Sequence, residues 1–143
     1  MNYSMTTQEF VALALAQPLH VLDLRDPDFF DTEEVQTPSS VTHIPLTQLP
    51  NRYQELDKSE TYYLFSQSGK RAKTMARFLT EKGYQAVDVI GGTTAVLTYL
   101  EIFHPAQLSL AKQSANDRLS QSLIVIKMLR TKEDLAKRSV AFV

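Results

Sequence analysis

The residues from Ser66 to Arg71, SQSGKR, are the part of the chain whose types and spacing best suit chemistry. They follow the apolar run ETYYLF and precede a basic amphipathic segment, a pattern typical of a strand, a tight turn and a helix. Backbone N–H groups in such a turn, together with the positive end of the following helix, can hold an anion. The sequence therefore predicts an anion-binding loop made of Ser66, Gln67, Ser68, Gly69, Lys70 and Arg71. An equal alternative is a loop with a structural role only, in which the Arg71 guanidinium fills the loop and satisfies its carbonyls.

The hydroxyl of Ser66 could also act as a nucleophile if a general base lay within hydrogen-bond reach. The chain has three histidines, but none stands in a recognisable motif: His20, His43 and His104. Asp23 and Arg25 end an earlier apolar run, and such a pair more often has a structural role. Two functions stay open at this point, binding of a small anion or acidic peptide and a serine-dependent hydrolase or transferase. The missing base favours binding.

Composition limits the remaining classes of function. The chain has 143 residues, 43% of them hydrophobic, which suits one ordinary domain with its own core. It has no cysteine, so disulfides, cysteine-ligated metals and thiol catalysis within this chain are excluded. Leu123–Leu129 is the longest apolar stretch and is too short to span a bilayer, and the N-terminus does not resemble a secretory signal. We expect a cytoplasmic protein with no cofactor, metal site, membrane span or nucleic-acid partner.

The charges are unevenly distributed along the chain, although the net charge is −1. Residues 1–60 contain ten acidic and three basic residues, whereas residues 61–143 contain six acidic and twelve basic ones. The SQSGKR loop lies in the basic half. This distribution is compatible with a positive field around the loop, and also with two solvated faces of opposite charge.

The order of the predicted elements indicates the fold class. Apolar patterns and turn residues predict helices at 7–16, 70–82 and 93–103, and strands at 19–24, 60–65 and 85–90. A loop with one helical turn near Phe29 and Phe30, an extended piece at 41–46 and helical turns at 47–56 lie between them. Alternating strands and helices predict an α/β domain with a mostly parallel sheet. Ligands of such sheets bind at the carboxyl ends of the strands, where SQSGKR lies.

From about Glu9 to Phe103 the chain resembles the rhodanese-like domains. VLDLRD (21–26) is similar to the strand-ending Asp-x-Arg of that family, and VTHIPLTQLPNRYQEL (41–56) is similar to its INIPL…EL segment. YYLFSQSGKRA (62–72) and VIGG (89–92) follow in the family's order. The usual Gly-His-Ile ahead of the proline segment is replaced by TPSSVT. The resemblance implies a parallel sheet flanked by helices on both faces, in a domain spanning residues 6–103.

The resemblance also implies what the loop would do in a typical member. There the strand ends in a catalytic cysteine, followed by four residues and an arginine, and the loop is a semicircle of backbone amides. Ser66 occupies the cysteine position, and Arg71 fits the arginine. The six-residue length is that of sulfurtransferases rather than of the related phosphatases, whose loop is longer by one residue. A hydroxyl stays protonated where a thiol ionises, and oxygen cannot carry sulfur as a persulfide. We therefore predict an inactive homologue, with no catalytic residue, that acts as a binding or regulatory module.

Residues 104–143 lie beyond the resemblance and are predicted to form a mostly helical extension. The spacing of Leu119, Leu123, Ile126 and Leu129 is that of a helix. The stretch 122–129 would also suit a strand, because it contains the run Leu-Ile-Val-Ile. HPAQLSLAKQSAND reads as a polar connector, partly helical at most, and a short helix is predicted from Thr131. The extension either docks on its own domain or buries its apolar side in a second copy or a partner, through residues 117–138.

Overall fold

A computed structural model describes residues 4–26, 40–67 and 70–141, with side chains for 4–26, 41–67 and 70–132. Two residues of the predicted site, Ser68 and Gly69, lie outside the described residues. So does the helical turn predicted near Phe29 and Phe30.

The described strands form one five-stranded sheet in the order β1-β5-β4-β2-β3, and all neighbouring strands are parallel. The strands are β1 (Ser4–Met5), β2 (His20–Asp23), β3 (Ser40–His43), β4 (Thr61–Phe65) and β5 (Gln85–Val89). The predicted parallel α/β sheet is therefore confirmed. Sequence reasoning missed β1, because two residues are too few to show an alternating pattern.

Helices cover both faces of the sheet. They are α1 (Thr7–Ala16), α2 (Leu49–Arg52), α3 (Ala72–Glu81), α4 (Gly92–Phe103), α5 (Pro105–Lys112) and α6 (Arg118–Ala141), with a 3₁₀ turn at Tyr53–Glu55. Side chains alternate between the faces along each strand. Val21, Tyr63 and Phe65 pack with α1, α4, α5 and α6. Leu22, Tyr62 and Leu64 pack with α2 and α3 on the other face. A parallel sheet covered in this way is buried on both sides.

Local sequence signals account for several of the helix ends. A capping box begins α1: the Thr6 hydroxyl accepts the N–H of Glu9 at 3.1 Å, and the Glu9 carboxylate accepts the N–H of Thr6 at 3.4 Å. Gly83 follows the end of α3 with φ of +91°, the left-handed conformation that glycine adopts without strain. These signals fix α1 and α3 close to their predicted positions.

The C-terminal extension differs from its prediction in two places. The predicted polar connector contains the helix α5, which begins at Pro105. No separate helix begins at Thr131, because α6 runs without interruption from Arg118 to Ala141. The Thr131 hydroxyl donates to the carbonyl oxygen of Lys127 at 3.0 Å, a bond within the helix rather than a cap. The stretch at 122–129, which the sequence left open between helix and strand, is helical.

The apolar side of α6 packs against its own domain. Leu119, Leu123 and Ile126 are buried in the core shared with α1 and α4. The guanidinium of Arg130 donates to the carbonyl oxygens of Ala14 and Gln17 at the end of α1. In the described part of the chain, no helix is both long enough and apolar enough to cross a membrane.

Candidate functional site

A cavity of about 370 Å³ lies at the carboxyl ends of β2 and β4. The register brings Asp23 at the end of β2 opposite Phe65 at the end of β4, so the segments that follow the two strands leave the sheet side by side. These segments form the walls. The residues that line the cavity are Leu24, Arg25, Asp26, Leu46, Thr47, Ser66, Gln67, Lys70 and Arg71.

The start of the SQSGKR loop is fixed by the first turn of α4. The carbonyl oxygen of Ser66 accepts the N–H of Thr93 at 3.1 Å, and that of Gln67 accepts the N–H of Thr94 at 3.2 Å. The hydroxyls of both threonines also donate to the Gln67 carbonyl, at 3.3 and 2.9 Å. The loop therefore satisfies N–H groups that the start of a helix leaves without intrahelical partners.

These bonds determine the direction of one loop amide. The described backbone contains no cis peptide bond, and in a trans peptide an N–H points opposite to the preceding carbonyl. Because the Ser66 carbonyl faces α4, the N–H of Gln67 points away from α4. This orientation agrees with a loop whose amides face a ligand rather than the helix behind it.

Gly91 and Gly92 allow α4 to begin directly behind the loop. Their φ angles are +83° and +61°, in the left-handed region that favours glycine. A Cβ atom on Gly91 would lie 2.3 Å from the Cβ of Ala95. This turn sets the position of Thr93 and Thr94 behind the loop.

Lys70 and Arg71 bring positive charge to the cavity. Both are exposed, and Arg71 directly precedes α3. Among the described residues, neither side chain has a hydrogen-bond or ion-pair partner.

The Arg25 guanidinium is a third cation on the wall, and buried carboxylates hold it. Its Nε and Nη2 atoms donate to Asp23 at 2.9 and 2.8 Å. Nη2 also donates to Oδ1 of Asp117 at 3.0 Å. The side chains of Asp23, Arg25 and Asp117 are 0%, 4% and 4% exposed. These contacts give Asp23 and Arg25 the structural role that the sequence favoured for them.

Two of these groups are ionised more strongly than usual despite their burial. Burial alone would raise the pKa of Asp23, but hydrogen bonds from His43 and Arg25 hold it below the usual aspartate value. Burial would also raise the pKa of Asp117, but its bonds with Ser120 and Arg25 lower it. All three charges are therefore present at neutral pH.

The structure gives His43 a partner that the sequence did not predict. Its Nδ1 atom lies 3.2 Å from Oδ2 of Asp23, because the register places His43 opposite Asp23 on the neighbouring strand. His20 pairs instead with Glu60 at 3.0 Å. No histidine is among the described residues that line the cavity. In the same part of the chain, no group of three or more His, Cys, Asp or Glu residues could hold a metal ion.

Sequence reasoning missed Thr93, Thr94 and Asp117 as neighbours of the site. The Gly-Gly-Thr-Thr run after β5 was a usable signal, since it starts a helix next to a predicted ligand loop. Asp117 had a local signal only, as a residue suited to begin α6. Its contact with Arg25 spans 92 positions and depends on how the extension packs.

Comparison with known proteins shows one family. The model of the rhodanese-like domain matches residues 6–98. A tRNA sulfurtransferase of Haemophilus ducreyi is 35% identical over 77 residues, which are 53% of this chain and 16% of that protein. The chain thus spans about a sixth of the length of the tRNA sulfurtransferases it matches. The protein YtwF of Bacillus subtilis is 30% identical over 79 residues, covering 55% of this chain and 74% of that protein.

Solved structures lead to the same fold. A rhodanese-like domain protein from Staphylococcus aureus superposes with a TM-score of 0.54 at 26% identity, covering 66% of this chain and 90% of that one. The reduced CoADR-RHD protein of Bacillus anthracis superposes with a TM-score of 0.58, also at 26% identity, over 71% of this chain and 17% of that one.

Proposed function

The chain belongs to the rhodanese-like domain family, and we propose that it is a member that binds an anion without transferring sulfur. The ligand is a small anion or an acidic peptide segment, held at the SQSGKR loop. The chain would then act as a binding or regulatory module rather than as an enzyme.

The observation that carries this proposal is the cavity with two exposed cations on its wall. Lys70 and Arg71 line the cavity, and no described residue neutralises either of them. The carbonyls of Ser66 and Gln67 are turned towards α4, so the first amide of the loop is directed away from that helix. Cationic side chains beside such an amide are the groups that recognise carboxylates, sulfates and phosphates in proteins.

Sulfur transfer is not part of the proposal because the chain has no cysteine. The family resemblance places Ser66 where a thiolate would carry the sulfur. A serine oxygen cannot form the persulfide, and no other thiol exists in the chain to replace it.

A serine-dependent hydrolase or transferase lacks a specific observation in its favour. Among the described residues no histidine lines the cavity, and Nδ1 of His43 lies 3.2 Å from Oδ2 of Asp23. A nucleophilic serine needs such a base within hydrogen-bond distance.

Calorimetric titration at low ionic strength tests the binding proposal. Sulfate and thiosulfate should bind the wild-type protein at one site, with affinities that fall as salt is added. Arg71→Ala should weaken both by about tenfold, because it removes a cation from the wall of the cavity.

Arg77→Ala is the matched control, since it removes one arginine charge from an exposed position within α3. Arg77 is exposed and pairs with Glu81 at 3.4 Å, and it does not line the cavity. This variant should bind both anions nearly as well as the wild type does. Equal losses in the two variants, or no binding to the wild-type protein, would contradict the proposal.

A further inference from the structure

The C-terminal extension reaches the candidate site through one carboxylate. Asp117 directly precedes α6, and its Oδ1 atom accepts the N–H of Ser120 at 2.9 Å, the bond of a helix N-cap. The same oxygen accepts Nη2 of Arg25 at 3.0 Å. Asp117 thus begins the long helix and contacts a residue of the cavity wall at the same time.

The next residue of the extension contacts the helix that holds the loop. Nη1 of Arg118 lies 3.4 Å from the Thr94 hydroxyl, and that hydroxyl donates to the Gln67 carbonyl of the loop. The start of α6 is therefore fixed against both Arg25 and the helix that holds the loop. The position of the Asp117 charge relative to the cavity is set by several contacts.

Charged side chains of both signs lie at the cavity among the described residues. The cations on its wall are Arg25, Lys70 and Arg71, and the wall also carries Asp26. Asp23 and Asp117 pair with Arg25. With Arg118, which contacts Thr94, these described groups comprise four cations and three carboxylates. Removing the charge of Asp117 raises their summed charge by one unit.

We propose that Asp117 is a specificity-determining residue of this site: its carboxylate, paired with Arg25, lowers the positive potential of the cavity and so reduces the preference for doubly charged over singly charged anions. The inference rests on the proposed anion-binding function. Asp117 contacts Arg25 and is assigned no contact with the ligand, so it acts through the electrostatic potential inside the cavity.

The effect of such a charge depends on the charge of the ligand. Coulomb energy is the product of the ligand charge and the local potential, so a change in potential alters the binding free energy of a dianion twice as much as that of a monoanion. At about 10 Å and an effective dielectric constant of about 40, between that of a protein surface and that of water, one unit charge changes the affinity for a monoanion roughly three- to fivefold. The affinity for a dianion then changes by the square of that factor, about ten- to twenty-five-fold.

Sulfate and methanesulfonate are suitable probes, because both present a tetrahedral sulfur with oxygens and they differ by one charge. Asp117→Asn should strengthen methanesulfonate binding by about three- to fivefold and sulfate binding by the square of the observed factor. Asparagine keeps an oxygen that can accept the Ser120 N–H, so the start of α6 is preserved. Titrations of both anions at constant low ionic strength measure the two factors.

Asp57→Asn is the matched control, because it makes the same substitution at the amino end of β4, whereas the cavity lies at the carboxyl end of that strand. Asp57 precedes β4, and its carboxylate accepts the N–H of Ser59 at 2.9 Å, which an asparagine can also do. This variant should leave the ratio of the two affinities unchanged. If Asp117→Asn does not fold, Asp117→Ser provides the same test, since serine is also a good N-cap residue.

Two sources supply a singly charged carboxylate: a small free anion and the glutamate side chain of a peptide. A second pair of probes distinguishes these two sources. Acetate and N-acetylglutamate α-amide each have one carboxylate. Tighter binding of the amide assigns the ligand to a peptide side chain, and equal binding assigns it to a free anion. Asp117→Asn should change both affinities by the same factor, and unequal factors would contradict a purely electrostatic role.

The outcomes separate this inference from the function on which it rests. If the wild-type protein binds anions and Asp117→Asn leaves the ratio of sulfate to methanesulfonate affinity unchanged, the role of Asp117 is wrong and the binding function stands. If neither the wild-type protein nor the variant binds any of the anions, the proposed function fails, and the inference fails with it.

Discussion

Ser66 differs from the residue that its family position implies by one atom, oxygen in place of sulfur. The surroundings that would activate a cysteine are made of other groups: the Gln67 amide, Lys70, Arg71 and the start of α3. An oxygen nucleophile cannot use them, because its hydroxyl stays protonated in a field that would ionise a thiol. We propose that the serine removes the sulfur chemistry while the groups that bind an anion remain.

Ser66→Cys should restore a reactive thiol if that separation is correct. The pKa of the new thiol should lie below the usual ~8.5, because nearby cations and backbone amides stabilise the thiolate. Its rate of alkylation by iodoacetamide at pH 6 should exceed that of a free thiol by about tenfold or more. On adding thiosulfate, the thiolate should attack the outer sulfur, release sulfite and gain one sulfur atom by mass.

The chain has no natural cysteine, so a second single-cysteine variant serves as the control. Ser109 is exposed on α5 and does not line the cavity, and Ser109→Cys should react like a free thiol. Adding Arg71→Ala to Ser66→Cys should raise the thiol pKa again. An introduced cysteine at position 66 with an unshifted or raised pKa would indicate that the loop does not stabilise an anion.

Asp88 is a buried carboxyl for which the proposed function has no use. It lies on β5 and is 2% exposed, and its Oδ1 atom has no hydrogen-bond partner among the described residues. Its other oxygen accepts the Ser4 hydroxyl at 3.4 Å. Burial raises the pKa of Asp88, while the Ser4 bond and the charge of Lys73 partly offset this effect. The ionised form is therefore less favourable in the folded protein than in the unfolded chain.

Asp88→Asn should raise the stability at pH 7, because it removes a buried negative charge and keeps the shape of the side chain. We expect the melting temperature to rise by about 2–4 °C, equivalent to roughly 1 kcal/mol for a domain of this size. A group whose folded pKa is raised loses its stabilising contribution as the pH rises through that pKa. The advantage of the variant should therefore shrink as the pH falls through the raised pKa of Asp88, and it should be lost below the ordinary aspartate pKa of about 3.9. An equal advantage at pH 7 and at pH 3.5 would contradict this interpretation.

At the scale of elements, the sequence predicted the parts of the site and missed what holds them together. The strand before Ser66 and the helix after Arg71 follow from apolar periodicity, which is a local property. The bonds from Thr93 and Thr94 to the loop carbonyls join residues 26 to 27 positions apart. They exist because β4 and β5 are neighbours in the sheet, and one sequence does not specify which strands pair.

Gly91→Ala tests the connection between α4 and the loop. An alanine at φ of +83° is strained, and its Cβ would lie 2.3 Å from that of Ala95. The start of α4 must then shift, which moves the two threonines that hold Ser66 and Gln67. We expect a loss of about 1–3 kcal/mol in unfolding free energy together with weaker sulfate binding, measured by denaturant titration and calorimetry.

Gly83→Ala is the matched control for that variant. Gly83 also has a positive φ, at +91°, but the nearest atom to an added Cβ is the Lys58 ammonium nitrogen at 3.6 Å, and the residue is outside the cavity. It should lose stability and keep its sulfate affinity. If Gly91→Ala also binds sulfate like the wild-type protein, α4 does not control the loop.

At the scale of the whole molecule, α6 completes the core on one face of the sheet. The helical spacing of Leu119, Leu123, Ile126 and Leu129 predicted that this segment has an apolar side. Whether that side packs on its own domain or on a partner depends on tertiary contacts, which the spacing does not specify. In the structure this side packs on α1 and α4, and Arg130 bonds the end of α1. We propose that residues 104–143 dock on the family domain and support its site rather than form a separate unit.

Leu123→Ala tests that docking, since Leu123 is 1% exposed. Removing a buried leucine side chain should lower the unfolding free energy by about 2–5 kcal/mol. Lys127→Ala changes an exposed position on the same helix and should stay within about 0.5 kcal/mol of the wild type. Urea titrations of the two variants give the comparison. If they are equally stable, α6 does not contribute to the core.

We propose that an anion binds at the SQSGKR loop and that the protein does not transfer sulfur. The most direct measurement is a residue-resolved NMR titration of the wild-type protein with thiosulfate. We expect saturable shifts of the backbone amides of Gln67, Lys70 and Arg71. The amides of Ser59 and Gly83, at the amino ends of β4 and β5, should change little. The protein should gain no sulfur by mass. Shifts spread over all exposed basic residues without saturation, or the absence of any shift at the loop, would contradict it.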